Sequence, residues 1–300
     1  MGDHSISRRT LLYTGLASTA AVAIPNVFSS TASAHVSSQD ARGLKGNINH
    51  SVARWTYDFL SLDELCQLVL STGFSAIDLV GPDEWPTLKR HGIDSSMCNG
   101  AEPNLEDGWS DSRFHADLVE SYLRHIDMVS DAGYRNLICF SGNQRSLSEE
   151  QGLLNAEQGL KRILAHAEQK GVTLHMELLN SKIDHPDYLC DNSSWGIELC
   201  QRLSSPNFKL LYDIYHMQIS EGDVIRTIRD NHQYFGHYHT AGVPGRHELD
   251  TNQELYYPAI MQAILDTGFD GYVAQEFKPS GSSREDKINA LEQAVLRCDV

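Results

Sequence analysis

The sequence is poor in basic residues, in paired cysteines and in long apolar segments. Its 300 residues carry 24 Lys and Arg against 40 Asp and Glu, which gives a formal net charge of −16. This acidity argues against nucleic acid as a partner, because binding a phosphate backbone requires a basic surface. The six cysteines include no Cys-x-x-Cys and no zinc-ligand spacing. A disulfide between Cys190 and Cys200 is left open, since sequence alone does not give their separation.

The most apolar amino-terminal stretch, residues 11–24, is too short and too rich in Ala, Ser and Thr for a stable membrane anchor. Arg8 and Arg9 precede it, and an Ala-Ser-Ala sequence at 32–34 offers the small residues of a signal peptidase site. Residues 1–34 are therefore predicted to be a twin-arginine (Tat) signal peptide that engages the Tat export machinery. The mature protein is expected to be periplasmic or extracellular.

The remaining chain divides into a flexible lead-in, residues 35–46, and a regular region, residues 47–300. Without the signal peptide the formal charge is −17 on about 266 residues, because Asp3, Arg8 and Arg9 are removed. The regular region alternates strand-like and helix-like segments. Strands are predicted at 48–54, 76–80, 93–98, 136–140, 172–177, 208–213, 234–239 and 271–276. Helices are predicted at 62–70, around 88, and at 114–132, 149–170, 195–203, 224–229, 257–266 and 285–296.

Eight strands, each followed by a helix, predict an α/β fold of one domain, a (β/α)8 TIM barrel, whose usual length is about 250 residues. The alternative is a doubly wound open sheet. That alternative is disfavoured because no Gly-rich dinucleotide-binding turn follows the first strand.

Four successive strands of the second half end in side chains that can bind a metal: Glu177, Asp213, His239 and Glu276. In a TIM barrel the carboxyl ends of the strands form one rim, and active sites lie there. Three carboxylates at one rim repel one another unless a cation neutralises them. Their oxygen-rich chemistry favours one divalent ion, Mg²⁺ or Mn²⁺, with Co²⁺ and Zn²⁺ as alternatives.

The motifs around these residues resemble a known family. They are MELLN at 176–180, YDIYH at 212–216, HYHTAG at 237–242 with GRHE at 245–248, YYP at 256–258 and QEFKP at 275–279. Together they are similar to the xylose isomerase-like TIM-barrel superfamily, and most closely to the hydroxypyruvate isomerase family. The similarity is dense over residues 172–279.

This resemblance implies that Glu177, Asp213, His239 and Glu276 bind the metal. It also implies that Glu177 and Glu276 move the proton. His216 and Arg246 match positions that hold substrate oxygens in the family.

Several further residues have two readings in the sequence alone. Lys278 is either a group that neutralises an acidic substrate or a solvated lysine. His185 lies in the long loop after the fifth strand and is either a residue that closes over the site or an exposed loop residue. His237 shares the strand face of His239 and is a candidate site residue or a core histidine. Trp55 and Trp85 are candidates to wall a sugar site, with packing favoured for both.

The implied activity is a metal-dependent isomerisation of a small hydroxycarbonyl compound, hydroxypyruvate or tartronate semialdehyde, through an enediolate. A ketose 3-epimerase and a polyol dehydratase of the same superfamily use the same parts and stay as alternatives. A barrel that binds sugar without turnover is the alternative from another class. Two proton-transfer carboxylates argue against it, since a binder does not need them. Whether the protein forms a homo-oligomer is left open.

Overall fold

Strands and helices alternate along the chain as the sequence predicted. The structure is a computed structural model that describes residues 43–300. The strands are β1 Asn49–Ala53, β2 Ala76–Val80, β3 Asp94–Cys98, β4 Asn136–Cys139, β5 Thr173–Glu177, β6 Phe208–Asp213, β7 Phe235–Thr240 and β8 Tyr272–Gln275. The α-helices are α1 Leu62–Thr72, α2 Trp85–His91, α3 His115–Asp131, α4 Glu149–Lys170, α5 Ser193–Leu203, α6 Ile214–Ser220, α7 Val224–Asn231, α8 Tyr257–Asp266 and α9 Arg284–Cys298.

The eight strands form a closed barrel. Each strand pairs in parallel with the next in chain order, and β8 closes the barrel by pairing with β1. The predicted single-domain (β/α)8 barrel is confirmed. Parallel pairing brings all eight carboxyl ends to one rim, so residues far apart in sequence become neighbours there. At this rim Asp213 of β6 pairs in register with His239 of β7.

Local capping explains why several helix ends are where the sequence predicted them. Helix α1 begins at a capping box in which the Ser61 hydroxyl and the Glu64 carboxylate each bind the other residue's backbone N–H. Helix α4 begins at Ser148, whose side chain accepts a hydrogen bond from the Gln151 backbone N–H, and ends at Gly171 in the left-handed conformation. These caps fix the length of the connections and hence the positions at which strands re-enter the barrel.

Helix α6 was not predicted. Its N-cap is Asp213, whose carboxylate accepts hydrogen bonds from the backbone N–H groups of Tyr215 (2.8 Å) and His216 (3.2 Å). A helix of seven residues is too short to show a helical period in the sequence. The last strand residue is thus also the first helix cap, and His216 lies in the first turn of α6.

Three sequence-based expectations concern the amino terminus, membranes and cysteines. The predicted signal peptide and residues 35–42 lie outside the described residues. Among residues 43–300, no helix is long and apolar enough to cross a membrane. The six cysteines are buried and free, so the disulfide left open between Cys190 and Cys200 is not formed in the structure.

Candidate active site

Four side chains from adjacent strand ends meet at the carboxyl rim of the barrel. Glu177 ends β5, Asp213 ends β6, His239 lies in β7 and Glu276 follows β8. The His239 Nδ1 atom lies 2.9 Å from Glu276 Oε2, 3.2 Å from Glu177 Oε1 and 3.9 Å from Asp213 Oδ2. All four residues are buried. The structure therefore brings together the four predicted ligands, while their role in metal binding stays a prediction.

Burial and mutual repulsion shift the protonation of these carboxylates in different directions. Burial raises the pKa of Asp213 to about 8, and burial also raises the pKa of Glu177. Burial opposes ionisation of Glu276 as well, but the charges of Arg246 and His239 outweigh it and hold its pKa well below the ordinary value. The ionised form is therefore disfavoured for two carboxyl groups of the rim, Asp213 and Glu177. It is strongly stabilised for the third, Glu276.

The donor set fits a divalent cation. Each of the four residues offers one ligand atom, and these atoms all lie within 4.8 Å of one another. Two of them, Nδ1 of His239 and Oε1 of Glu177, are buried and make no well-aligned hydrogen bond among the described residues. Buried polar atoms without a partner are costly, and a cation would be a partner for both once Nδ1 of His239 has given up its proton. Three carboxylate oxygens with one imidazole suit Mg²⁺ or Mn²⁺.

Asp78 of β2 is a buried carboxylate that the sequence analysis did not single out. Its Oδ1 atom accepts a hydrogen bond from His239 Nε2 at 2.9 Å, and its Oδ2 atom accepts one from the Ser96 hydroxyl at 2.6 Å. The His237 Nε2 atom lies 2.8 Å from the same Oδ2. Burial opposes ionisation of Asp78, yet His237 and His239 outweigh it and lower its pKa. Asp78 therefore orients the imidazole of His239, so that Nδ1 faces the three carboxylates.

His237 belongs to the barrel interior beneath this cluster. Its side chain is fully buried and contacts Asp78 on one side, while its ring lies 6.2 Å from that of His175. His237 thus shares the inward face of β7 with His239, as its spacing of two residues indicated. It supports Asp78 and does not reach the carboxylates at the rim.

Arg246 reaches the cluster from the loop after β7. Its Nη2 atom donates to Glu276 Oε2 at 2.5 Å and lies 3.6 Å from Asp213 Oδ2. The guanidinium lies 5.2 Å from the Trp55 ring centroid and 5.5 Å from that of Tyr215. These two aromatic rings position the cation by cation–π contact.

Trp55 forms part of the site. Its indole N–H donates to Glu276 Oε1 at 2.8 Å, so both oxygens of Glu276 have donors. Packing was favoured for Trp55, and its indole does lie at the rim with 39% of its surface exposed, but the hydrogen bond to Glu276 also makes it a neighbour of the carboxylate cluster. Trp85 is a packing residue as favoured, since it is buried and donates to the Val80 carbonyl.

His216 and His185 lie side by side next to the carboxylates. Their ring centroids are 5.3 Å apart, and His216 Nε2 lies 3.7 Å from Asp213 Oδ2. His216 is fully buried, whereas His185 is partly buried. Lys278 is farther out, with its Nζ atom 5.6 Å from the centroid of the Trp55 ring. All eight predicted site residues thus lie at the same rim, and their individual roles stay predictions.

The fold and this site define an α/β-barrel protein whose carboxylate and imidazole cluster sits where barrel enzymes carry out catalysis. A family model described as xylose isomerase-like TIM barrel matches residues 85–296. The chain belongs to the xylose isomerase-like TIM-barrel family.

Its curated relatives include named isomerases. The 2-oxo-tetronate isomerase of Cupriavidus necator is 36% identical over 113 residues, which cover 38% of this chain but only 43% of that relative. The putative hydroxypyruvate isomerase of Xenopus laevis is 30% identical over 251 residues, which cover 76% of this chain and 88% of that relative. These relatives confirm the predicted isomerase class.

Solved structures share the fold at lower sequence identity. A family 2 AP endonuclease from Brucella melitensis superposes with a TM-score of 0.70 at 22% identity, covering 81% of this chain and 97% of that one. D-psicose 3-epimerase from Clostridium cellulolyticum H10 superposes with a TM-score of 0.67 at 18% identity, covering 83% of this chain and 97% of that one. At these identities the likeness extends to the barrel alone.

Proposed function

We propose that the protein interconverts hydroxypyruvate and tartronate semialdehyde, or a closely similar hydroxycarbonyl acid, with a divalent metal ion. The observation that carries the proposal is the meeting of Glu177 and Glu276 at His239, with Asp213 beside them. An isomerase of this kind removes a proton from one carbon and returns it to its neighbour, so it needs two protein groups that exchange protons.

Glu177 and Glu276 are the pair that moves the proton. One of these carboxylates takes the proton from the hydroxymethyl carbon of hydroxypyruvate, and the electrons of the broken bond form the carbon–carbon double bond of an enediolate. A proton is then delivered to the former carbonyl carbon. The hydroxyl proton moves to the neighbouring oxygen, so the atoms balance. The carboxyl rim also carries three side chains that can donate hydrogen bonds to the substrate carboxylate and oxygens, namely Arg246, Lys278 and His185.

The metal ion would be held by Glu177, Asp213, His239 and Glu276. When bound, it supplies positive charge that acidifies the carbon–hydrogen bond beside the carbonyl and stabilises negative charge on oxygen. Asp78 would keep the imidazole of His239 in the orientation that presents Nδ1.

A ketose 3-epimerase is the second candidate. It is favoured by His239 on the seventh strand, where the family resemblance implies an imidazole for the ketose 3-epimerases, and it is in keeping with the barrel likeness to D-psicose 3-epimerase. Epimerisation would use the same two carboxylates but return the proton to the opposite face of the same carbon.

The test is proton exchange with solvent. Metal-loaded protein in D₂O with hydroxypyruvate should incorporate deuterium at carbon and form tartronate semialdehyde, as followed by NMR. Glu276→Gln should slow exchange by about 100- to 10,000-fold. Glu254→Gln, which removes the same charge from an exposed site, should leave the rate unchanged. Deuterium entering ketoses but not hydroxypyruvate would favour the epimerase, and no exchange with either would refute both.

We also propose that the chain is exported by the Tat route, on the strength of Arg8, Arg9 and the Ala-Ser-Ala sequence at 32–34. In a bacterial host with the Tat system, the exported product should begin near residue 35 by amino-terminal sequencing. Replacing both arginines by lysine should retain the full-length chain inside the cell. Unchanged export of that variant would contradict the proposal.

A further inference from the structure

His216 is held by the residue that ends the MELLN motif, Asn180. The His216 Nδ1 atom lies 2.6 Å from the Asn180 side-chain nitrogen and 3.2 Å from the Asn180 backbone nitrogen, which donates to it. Both residues are fully buried, at 0% exposure. The tautomer of His216 therefore depends on which atom of the Asn180 amide faces the ring.

The surroundings of Asn180 fix the orientation of its amide. Its Oδ1 atom accepts hydrogen bonds from the backbone N–H groups of Ile183 (2.9 Å) and Asp184 (3.0 Å). Its Nδ2 atom donates to the Asp184 carboxylate at 2.7 Å. A flipped amide would set its NH₂ group against two N–H donors and its oxygen against a carboxylate. The NH₂ group must therefore face His216, so Nδ1 of His216 meets two donors and has to be the acceptor.

The other ring nitrogen of His216 then carries the proton. Nε2 is buried and has no hydrogen-bond partner among the described residues, and it lies 3.7 Å from Asp213 Oδ2. A buried N–H group without a partner, directed at the carboxylate rim, is a donor prepared for an incoming acceptor.

We propose that Asn180 is a positioning residue that locks His216 as the Nε2–H tautomer. His216 thereby serves as a fixed hydrogen-bond donor to a substrate oxygen and does not relay the proton between carbons. The substrate contact rests on the function proposed above, whereas the tautomer follows from the hydrogen bonds alone. Because a fixed donor does not have to reorient during the reaction, it stabilises the negative charge that develops on the substrate oxygen.

The tautomer can be measured without substrate or metal. In protein labelled with ¹⁵N-histidine, long-range ¹H–¹⁵N correlation distinguishes a protonated ring nitrogen from one with a free lone pair, and His216→Gln identifies the signals. We expect Nε2 to be protonated and Nδ1 to be bare. A proton on Nδ1 in the wild-type protein would overturn the proposal, whatever the fate of any variant.

Asn180→Asp tests the positioning role. The carboxylate retains an acceptor for the Ile183 and Asp184 N–H groups but turns a negatively charged acceptor toward His216. This charge should outweigh the backbone N–H of residue 180, which still points at Nδ1, so Nδ1 should become protonated. Asn192→Asp is the matched control. Asn192 caps α5 through its oxygen, which aspartate also provides, so the His216 signals should not change. An Asn180→Asp protein that folds with Nδ1 still bare would overturn the role of Asn180.

Kinetics separate this inference from the proposed function. With a substrate that the wild-type protein turns over, Asn180→Asp should lower kcat by about 100- to 1,000-fold with a smaller change in KM. Asn192→Asp should match the wild type. Wild-type kcat in an Asn180→Asp protein whose tautomer has changed would overturn the donor role. Absence of turnover in the wild type, with Nε2 protonated, would refute the proposed function and leave the tautomer assignment standing.

Discussion

Asp78 and His239 form a buried pair that couples β2 to β7 across 161 residues of sequence. The carboxylate accepts a hydrogen bond from the Nε2–H group of the imidazole, and the opposite ring nitrogen, Nδ1, faces the carboxylate cluster. An arrangement of this kind makes the imidazole more basic and holds its ring in place, and such partners commonly affect metal affinity. Asp78 is thus expected to matter for the metal without touching it.

Asp78→Asn should weaken Mn²⁺ binding by about 10- to 100-fold. Asparagine retains the size and an acceptor oxygen but loses the charge that polarises His239. Titration calorimetry on metal-free protein measures the change. Asp94→Asn is the control, because Asp94 begins β3 at the opposite end of the strand and its carboxylate accepts a hydrogen bond from Tyr272. Equal affinity in the two variants would contradict the role given to Asp78.

His50 offers a prediction about pH and stability. Burial lowers its pKa to about 4, with the charge of Asp299 acting in the opposite direction. Above pH 6.5 the imidazole is neutral in both folded and unfolded chains. Between pH 6.5 and 4 the unfolded chain binds a proton that the folded protein does not, so stability falls as pH falls, by up to about 3 kcal/mol.

In His50→Leu this contribution is absent, so the loss of stability on acidification should be smaller than in the wild type by that amount. Urea unfolding at pH 7.5, 6, 5 and 4 measures the free energy of unfolding for both proteins. If the free energy of unfolding fell equally in both proteins between pH 6 and pH 4, His50 would not be held neutral by the fold.

At the scale of elements, the loop after β5 is tied to the ends of β4 and β5 by Tyr188. The Tyr188 hydroxyl donates to the Glu177 carbonyl at 2.9 Å and accepts a hydrogen bond from the Ser141 backbone N–H at 3.0 Å. The same loop contains Asn180 and His185. Tyr188 therefore joins the strand that carries one predicted ligand to the loop that shapes the mouth.

Tyr188→Phe should lower the free energy of unfolding by about 1–3 kcal/mol, because a buried N–H group at Ser141 loses its acceptor. Tyr134→Phe is a matched control. The Tyr134 hydroxyl is buried and has no hydrogen-bond partner among the described residues, so its removal should not lower the free energy of unfolding. Chemical denaturation measures the free energy of unfolding of both variants. Equal changes would contradict the role of Tyr188 in joining the loop to β4 and β5.

The strand ends were predictable from sequence, whereas their cross-barrel partners were not. Glu177, Asp213 and Glu276 each close an apolar segment, and the barrel rule places such ends on one rim. Asp78 lies inside its strand, and its partners become apparent only when β2 faces β7. Trp55 likewise reaches Glu276 only because β8 returns to β1. The sequence could therefore predict which element carries a group, but not which group faces it across the barrel.

At the scale of the whole molecule, closure of the barrel concentrates negative charge at one rim of an already acidic chain. Asp213 and Glu177 are both buried with raised pKa values, so the metal-free protein must accommodate carboxyl groups in an unfavourable setting. Any cation that binds the folded rim, and not the unfolded chain, shifts the folding equilibrium toward the folded protein.

Metal should therefore stabilise the whole fold. At a free Mn²⁺ concentration about 100 times the Kd, linkage adds about 2.7 kcal/mol, which corresponds to a rise in Tm of about 5–10 °C for a domain of this size. Differential scanning calorimetry of chelator-treated protein, with and without Mn²⁺, measures this rise. Potassium chloride at matched ionic strength controls for screening, and Asp213→Asn controls for the site. A rise of the same size in potassium chloride or in Asp213→Asn would mean that the cation acts on the acidic surface, and the four-residue site would lose its support as the metal centre.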